Sequence, residues 1–270
     1  MFRNLTVTCI NGGADGAGAV AAIQTTMAQL PGSSGLLIST SRPANLPSSI
    51  GHARVYPFSY LQYSMFVIHC LHCFIETEFV LIVQEDGWAL NGANWRPEWW
   101  TYDYVGAPCH AARVGDSFLD RYSWEGNPDA IQVMNGGFSL RSRRFLQAAN
   151  NYGILYDFNQ NQKKMLCEDL QLCLIMRPEL EHHGLRFAPL ECASTFAIEA
   201  FGPQTHAGID TRTLFGHHTN YLKLRDGAVV DCKVPEPVVN SLFRENEKLE
   251  LLRHYGYRIR FPGDTSWQMI

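Results

Sequence analysis

From Leu5 to Ser39 the chain reads strand, loop, helix, strand, and no other feature constrains its fold as strongly. Leu5–Ile10 alternates and is β-rich. Asn11–Gly18 is glycine-dense, Ala19–Leu30 is alanine-rich and ends before Pro31, and Gly35–Ser39 is strand-like again. Two strands joined through a helix open a βαβ unit, which implies a parallel sheet with helices on its faces. Phe79–Val83 is a continuous apolar run between polar neighbours, the pattern of a central strand covered on both sides. The expected class is therefore α/β, with a Rossmann-like, mostly parallel central sheet flanked by helices. Around this frame we expect a short third strand at Arg54–Tyr56, a buried helix over Ser59–Ile75, and a strand at Tyr104–Ala107 stopped by Pro108. Ala111–Asp129 reads as a long irregular stretch. Gln132–Met134 leads into the glycine pair Gly136-Gly137. Helices are expected over Arg144–Asn150 and Met165–Met176, and late strands at Phe187–Pro189 and Ser194–Glu199. Val238–His254 reads as an amphipathic helix with Leu242, Leu249 and Leu252 on one side.

With 270 residues and about 150 per domain as a guide, one large domain with a small addition fits. We expect a main domain over 1–234 and a helical C-terminal extension over 235–270 packed on it. The balance of 22 Lys and Arg against 26 Asp and Glu gives a net charge of −4. A nucleic-acid binder normally shows a basic domain or stripe, so no nucleic-acid partner is expected. The longest apolar run, near Met65–Phe74, is interrupted by His69 and His72, and a spanning helix needs roughly 20 apolar residues. No secretory h-region or cleavage site is seen near Leu5–Ile10. No transmembrane segment and a cytoplasmic location are therefore expected. The eight cysteines should be reduced and mostly buried. Cys70-Leu71-His72-Cys73 lacks a second ligand pair at zinc spacing and is expected to face the core.

In open α/β sheets, ligands bind outside the carboxyl ends of the strands. The apolar run delivers Gln84, Glu85 and Asp86 to such an end, and Asn11 and Ser39 close the first two strands. Hard divalent cations take oxygen ligands and often bridge one carboxylate to substrate phosphates. Side chains alternate along extended chain, so of the acidic pair Asp86 is the expected ligand. Gly16-Ala17-Gly18 followed by Ala21 matches a dinucleotide fingerprint, but no acid closes the second strand, where Arg42 follows. Glu168-Asp169 at a helix start is either a macrodipole-favoured pair or a source of general base. His217-His218 is either a solvated pair or a contributor to a cation held by Asp86. There is no G-x-S-x-G elbow and no P-loop.

Taken together and in order, Phe79–Trp88, Tyr102–Pro108, Asn135-Gly136-Gly137-Phe138-Ser139-Leu140-Arg141-Ser142 and Glu168-Asp169 resemble GT-A-like glycosyltransferase domains. The resemblance runs from about Leu5 to about His218. It implies a nucleoside-diphosphate sugar as donor and a hydroxyl of a glycan or lipid-linked compound as acceptor. Asp86 resembles the retained position of an Asp-x-Asp element whose first position is here Gln84, and His217 resembles a late histidine of the same metal shell, for Mn²⁺ or Mg²⁺. Glu168 and Asp169 resemble the pair that supplies the catalytic base of an inverting transfer. Asn135–Ser142 resembles the loop that shapes the donor-sugar and acceptor pocket, with Asn135, Gly136, Gly137, Arg141 and Trp88 as its expected substrate contacts. Asn11, Ser39, Gln84 and Glu85 are the expected nucleotide contacts. Trp88, Trp99, Trp100 and Trp124 are candidates for stacking on sugar rings. Two other readings stand beside this one: an NADP-dependent oxidoreductase built on the Gly16–Ala21 loop and Arg42, and a GT-A-like module that binds without turnover.

Overall fold

The computed structural model describes residues 2–12, 16–159 and 163–264. The middle of the Asn11–Gly18 loop and the last residues of the 235–270 segment lie outside them. The chain opens with β1 (Leu5–Asn11), α1 (Ala17–Gln29), β2 (Ser34–Ser39) and β3 (Ile50–Arg54). It continues with α2 (Tyr60–His69), β4 (Phe79–Ile82), β5 (Gly87–Ala89), β6 (Tyr104–Val114), β7 (Ser117–Leu119), β8 (Ile131–Ser142) and α3 (Arg143–Tyr152). Seven of these strands form the central sheet in the order β3-β2-β1-β4-β8-β6-β7. The β3, β2, β1 and β4 strands are parallel, β8 is antiparallel to β4, and β6 is antiparallel to β8, so β6 runs with the parallel set.

Both faces are covered, as the apolar runs require. Leu5, Val7, Cys9, Leu81 and Val83 join one core with α1, while Ile10, Val80 and Ile82 point the other way into a second core with Val67 of α2 and Leu146 of α3. This alternation along β1 and β4 makes a sheet between two helical layers. A capping box fixes the start of α2: the Ser59 hydroxyl accepts from the Gln62 amide while the Gln62 side chain accepts from the Ser59 amide.

The remaining chain contains α4 (Glu168–Leu170), a π-helical turn at Gln171–Ile175, α5 (Arg177–His182), α6 (Leu190–Phe196), β9 (Ala197–Ile198) and β10 (Gly216–His218). It closes with β11 (Leu222–Leu224), β12 (Val229–Cys232), α7 (Glu236–Ser241), α8 (Glu245–His254) and β13 (Arg258–Arg260). Two small sheets, β5-β10-β9 and β11-β12-β13, sit beside the main one.

Several local expectations are corrected. The third strand is Ile50–Arg54, ahead of the expected Arg54–Tyr56. The helix expected to Ile75 stops at His69 and tightens into a 3₁₀ turn, leaving Cys70 and Cys73 exposed instead of in the core. Pro108 does not stop its strand. β6 carries it between two register irregularities, where a missing amide costs no ladder bond. Asn135-Gly136-Gly137 is not a loop but lies inside the long buried strand β8. Ser194–Glu199 is mostly the end of α6, with only Ala197–Ile198 in a strand. The expected Val238–His254 helix is two helices broken around Arg244, whose φ is +56°, and Leu242 is exposed while Leu249 and Leu252 are buried. All eight cysteines are free thiols. Among the described residues no helix is long and apolar enough to cross a membrane.

Candidate active site

The carboxyl ends of β1 and β4 open into a cavity of about 380 Å³ lined by Cys9, Ile10, Asn11, Ala19, Gln84, Glu85, Asp86 and Lys223. Four of the expected site residues, Asn11, Gln84, Glu85 and Asp86, are brought together here. Ser39 pairs in register with Asn11 one strand further out. Its hydroxyl donates to Ser41 O and contacts His52, so it does not line the cavity. The Gln84–Asp86 turn is pinned from outside the sheet. Leu224 N donates to Glu85 O at 2.6 Å, Thr219 N donates to Asp86 O at 2.8 Å, and Lys223 pairs with the Glu85 carboxylate. Gly18 packs where a Cβ would collide with Leu224 O and the Glu85 side chain, so close packing of α1 accounts for this glycine.

The histidine beside Asp86 is His218, not His217. β10 pairs with β5 so that His218 lies opposite Gly87, and successive side chains on a strand face opposite ways. His218 Nε2 lies 3.4 Å from Asp86 Oδ1 and 3.3 Å from Gln84 Oε1. His217 turns instead into the core, edge-on to Trp88 with ring centroids 4.1 Å apart, and neither ring nitrogen has a partner among the described residues. Burial, with Lys248 and His218 nearby, holds His217 well below the usual histidine range, so it stays neutral.

The parallel pairing of β10 with β9 sets Ile198 opposite His217 and therefore carries the next residue, Glu199, alongside His218. Glu199 Oε1 is 3.8 Å from His218 Nδ1, and the Cys109 thiol donates to Glu199 Oε2 at 2.7 Å. Burial by itself would lower the His218 pKa. Hydrogen bonds to Asp86 and Glu199 and the charges of both outweigh it and raise the pKa to about 9. Asn135 Nδ2, 3.1 Å from His218 Nδ1, suits the ring with that nitrogen bare, so the carboxylates and the amide make opposed demands on one imidazole.

β8 packs against these groups: Asn135 meets His218, and Gly137 lies against Gln84 and His218. Arg141 is fully buried, and its Nη2 donates to Glu168 Oε1 at 2.6 Å, Gly136 O and Tyr104 OH, while Nε donates to Ser139 Oγ. A Cβ on Gly136 would run into the Glu168 carboxylate, and one on Gly137 into Gln84 and His218. The glycine pair therefore exists to let these side chains close over the strand. Arg141, expected to touch substrate, is buried with Nη2 paired to Glu168, while its Nη1 has no hydrogen-bond partner among the described residues. Asn135, Gly136 and Gly137 are likewise buried under the protein's own groups, with Asn135 Oδ1 accepting from Phe138 N. Trp88 is fully buried and its indole donates to Tyr257 OH, so it packs the core and offers no stacking face. Of the other three stacking candidates, Trp99 and Trp124 are buried and Trp100 is partly open.

Of the acidic pair, Glu168 is locked to Arg141, while Asp169 is only partly covered and accepts the Leu170 amide at 2.8 Å. Burial and the neighbouring charges of Glu168 and Glu199 push the Asp169 carboxyl up to about 7. The residues the sequence did not single out are His218 as the partner of Asp86, Glu199, Cys109, Lys223 and Tyr63, whose hydroxyl accepts from Gln84 Nε2 at 3.0 Å. Strand parity at Gly216–His218 held the signal for the first; the others depend on tertiary contacts.

For a divalent cation, Asp86 Oδ1 would be one ligand, and His218 Nε2, 3.4 Å away, would become a second on giving up its proton. Among the described residues no group of three or more His, Cys, Asp or Glu side chains is placed to hold a metal. Mg²⁺ and Mn²⁺ commonly complete their shell with phosphate oxygens and water, so two protein donors suit them.

A family model described as protein of unknown function (DUF5672) matches residues 61–218. Among solved structures, the chain is similar to an active-site mutant of LgtC at 12% identity and a TM-score of 0.47, covering 92% of this chain and 95% of that one. It is also similar to the galactosyltransferase LgtC in complex with donor and acceptor sugar analogs, at 11% identity and a TM-score of 0.44, covering 80% and 87%. A search of curated proteins finds no match.

Proposed function

The chain belongs to the DUF5672 family, and we propose that it is a glycosyltransferase that moves a sugar from a nucleoside diphosphate to an acceptor hydroxyl. One observation carries this reading. A carboxyl pushed up to about 7, that of Asp169, is coupled in charge to Glu199, which contacts His218, which in turn meets Asp86 at the floor of a cavity of small-molecule size. A group able to take a proton near neutral pH thus shares a charge network with a turn suited to diphosphate.

In this reading the donor lies across the carboxyl ends of β1 and β4. Asn11 and the paired Glu85 and Lys223, which line the same cavity, flank the nucleotide. A divalent cation held by Asp86 and His218 would neutralise the leaving diphosphate. Asp169 takes the proton of the attacking hydroxyl, which a general base does best when its pKa is near the working pH. Glu168 cannot share that role while paired to Arg141. Its part is to position Asp169 and keep its carboxyl high by like-charge repulsion. A single displacement with the base opposite the leaving group inverts the anomeric centre, by analogy with inverting glycosidases.

The test is a thermal-shift panel of UDP, GDP, dTDP and CMP nucleotides with and without Mn²⁺, followed by turnover of whichever sugar nucleotide binds. Support is a metal-dependent shift with one nucleotide and turnover lost in Asp169→Asn. A protein that binds NADPH and none of these, or that turns over equally well as Asp169→Asn, would overturn the reading.

A further inference from the structure

The opposite end of β4 carries a second built cavity, of about 450 Å³, that the chemistry above does not use. Its walls are Phe2, Trp95 and Trp100, with Phe79 beneath them and Asn4 and Glu78 at the side. From Phe79 to Gln84 is five residues, roughly 16 Å of extended chain, so this cavity and the Asp86 cavity lie at opposite edges of the sheet. A further cavity of about 610 Å³ adjoins it, sharing Glu78, Phe79 and Trp100 and continuing past Tyr102, Arg143 and Arg186. The two together make a groove.

The aromatic rings here pack against the core, Trp100 on Phe79 and Trp95 on Trp99 and Phe215, and also line the cavity. The segment Pro97–Thr101 splits its indoles: Trp99 is fully buried, while Trp100, like Trp95 before it, stays half-open. Trp95 and Trp100 meet at 4.7 Å with planes 47° apart, and Phe2 meets them at 5.0 Å and 6.1 Å with planes 83° and 46° apart, so none of the three covers another face to face. The polar groups lining the two cavities are held in place. Asn4 Nδ2 donates to Glu78 Oε2 at 3.3 Å, the Arg186 guanidinium lies over the Tyr102 ring, and Arg144 is paired with Asp103. The cations Arg143, Arg144 and Arg186 are interleaved with Glu76, Glu78 and Asp103, so the groove has no single-sign field to select an anion.

Partly exposed aromatic rings lining a cavity beside fixed carboxylate, amide and guanidinium groups match a ligand with apolar C–H faces and hydroxyl edges. We propose that this groove is a binding site for a neutral oligosaccharide, remote from the Asp86 cavity. The rings take the sugar faces, since an aromatic face is electron-rich and attracts polarised C–H groups. Glu78 and Asn4 take the hydroxyls. The proposal does not rest on the transferase reading, because a protein without turnover would still bind.

The experiment is saturation-transfer NMR and calorimetric titration of the full chain with cellotriose, maltotriose and chitotriose. At least one is expected to bind at millimolar concentration or better. Trp100→Ala and Glu78→Gln are each expected to weaken it about tenfold, with an unchanged circular-dichroism spectrum showing that both variants fold. Glu78→Gln keeps the site if the ring at position 100 collapses. Asp169→Asn is expected to bind the saccharide as the parent does. The proposal is overturned if none of the three binds, or if binding is lost in Asp169→Asn and kept in Trp100→Ala. It is also overturned if the only effect of Trp100→Ala is to abolish a concentration-dependent self-association, which would make the face a contact between copies.

Discussion

At its carboxyl end β4 runs into Gln84, Glu85 and Asp86, and at its amino end it begins at Phe79, next to Glu78. The first end is a closed web in which His218, Glu199, Cys109 and Asp169 act on one another's charge. The second has charges paired near the surface beside half-open rings. Reactivity demands that water be excluded from a few ionisable groups, because only then do neighbours shift their protonation by several units. Recognition of a neutral ligand asks only for shape and fixed donors. In the two proposals made above, one strand serves a chemical end and an adhesive end.

The sharpest way to break this contrast is Asp169→Asn. Turnover should fall by about 10²–10⁴-fold with nucleotide binding retained. The same substitution tests the carboxyl's environment through stability. A carboxyl raised from 3.8 to about 7 binds its proton more tightly folded than unfolded, so the folded state loses stability as pH rises from about 4 to about 7. Asp169→Asn should therefore melt higher than the parent above pH 7, with the gain fading toward pH 4. A parent whose turnover does not fall as pH drops through about 7 would remove Asp169 as base.

Next is Glu168→Gln, which strands the buried Arg141 charge and should cost about 3–5 kcal/mol of stability, read by denaturant unfolding. The same loss from Glu78→Gln would erase the distinction between the ends, since that exposed carboxylate is expected to change stability by less than about 1 kcal/mol. Smaller again is His218→Gln, which should weaken the Mn²⁺-dependent nucleotide shift by about tenfold or more. The smallest effect belongs to its neighbour. His217→Phe removes two unpartnered ring nitrogens from an apolar pocket and should leave the shift unchanged and stability near neutral or improved. Equal effects at 217 and 218 would show that the strand's parity does not set the site.

Much of the frame was readable because it rests on local patterns. The strand–helix–strand opening and the apolar run at Phe79–Val83 say where the sheet lies, and the rule about carboxyl ends says where to look on it. Asn11, Gln84, Glu85 and Asp86 follow from that alone. The errors have a common physical source. Asn135-Gly136-Gly137 looks like a turn because glycine is a turn residue, yet here it answers to side chains arriving from Glu168, Gln84 and His218, which no local window contains. Pro108 looks like a strand end and sits at a register shift. The π-helical turn at Gln171–Ile175 breaks the 3.6-residue period that Met165–Met176 suggested. Sequence alone does not separate His217 from His218, because pairing register, which decides between them, is set by β5 and β9 far away in sequence.

β8 carries Asn135, Gly136, Gly137 and Arg141 on one strand, paired through Ser139–Ser142 with β4 on one edge and with β6 on the other. Such a strand cannot be retuned piecemeal. A substitution that added a side chain at Gly136 or Gly137 would push on Glu168 or His218 and so tax folding together with selectivity. For anyone redesigning this protein to accept a different ligand, the adjustable parts are the rims, around Asn11 and Lys223, and β8 is best treated as fixed.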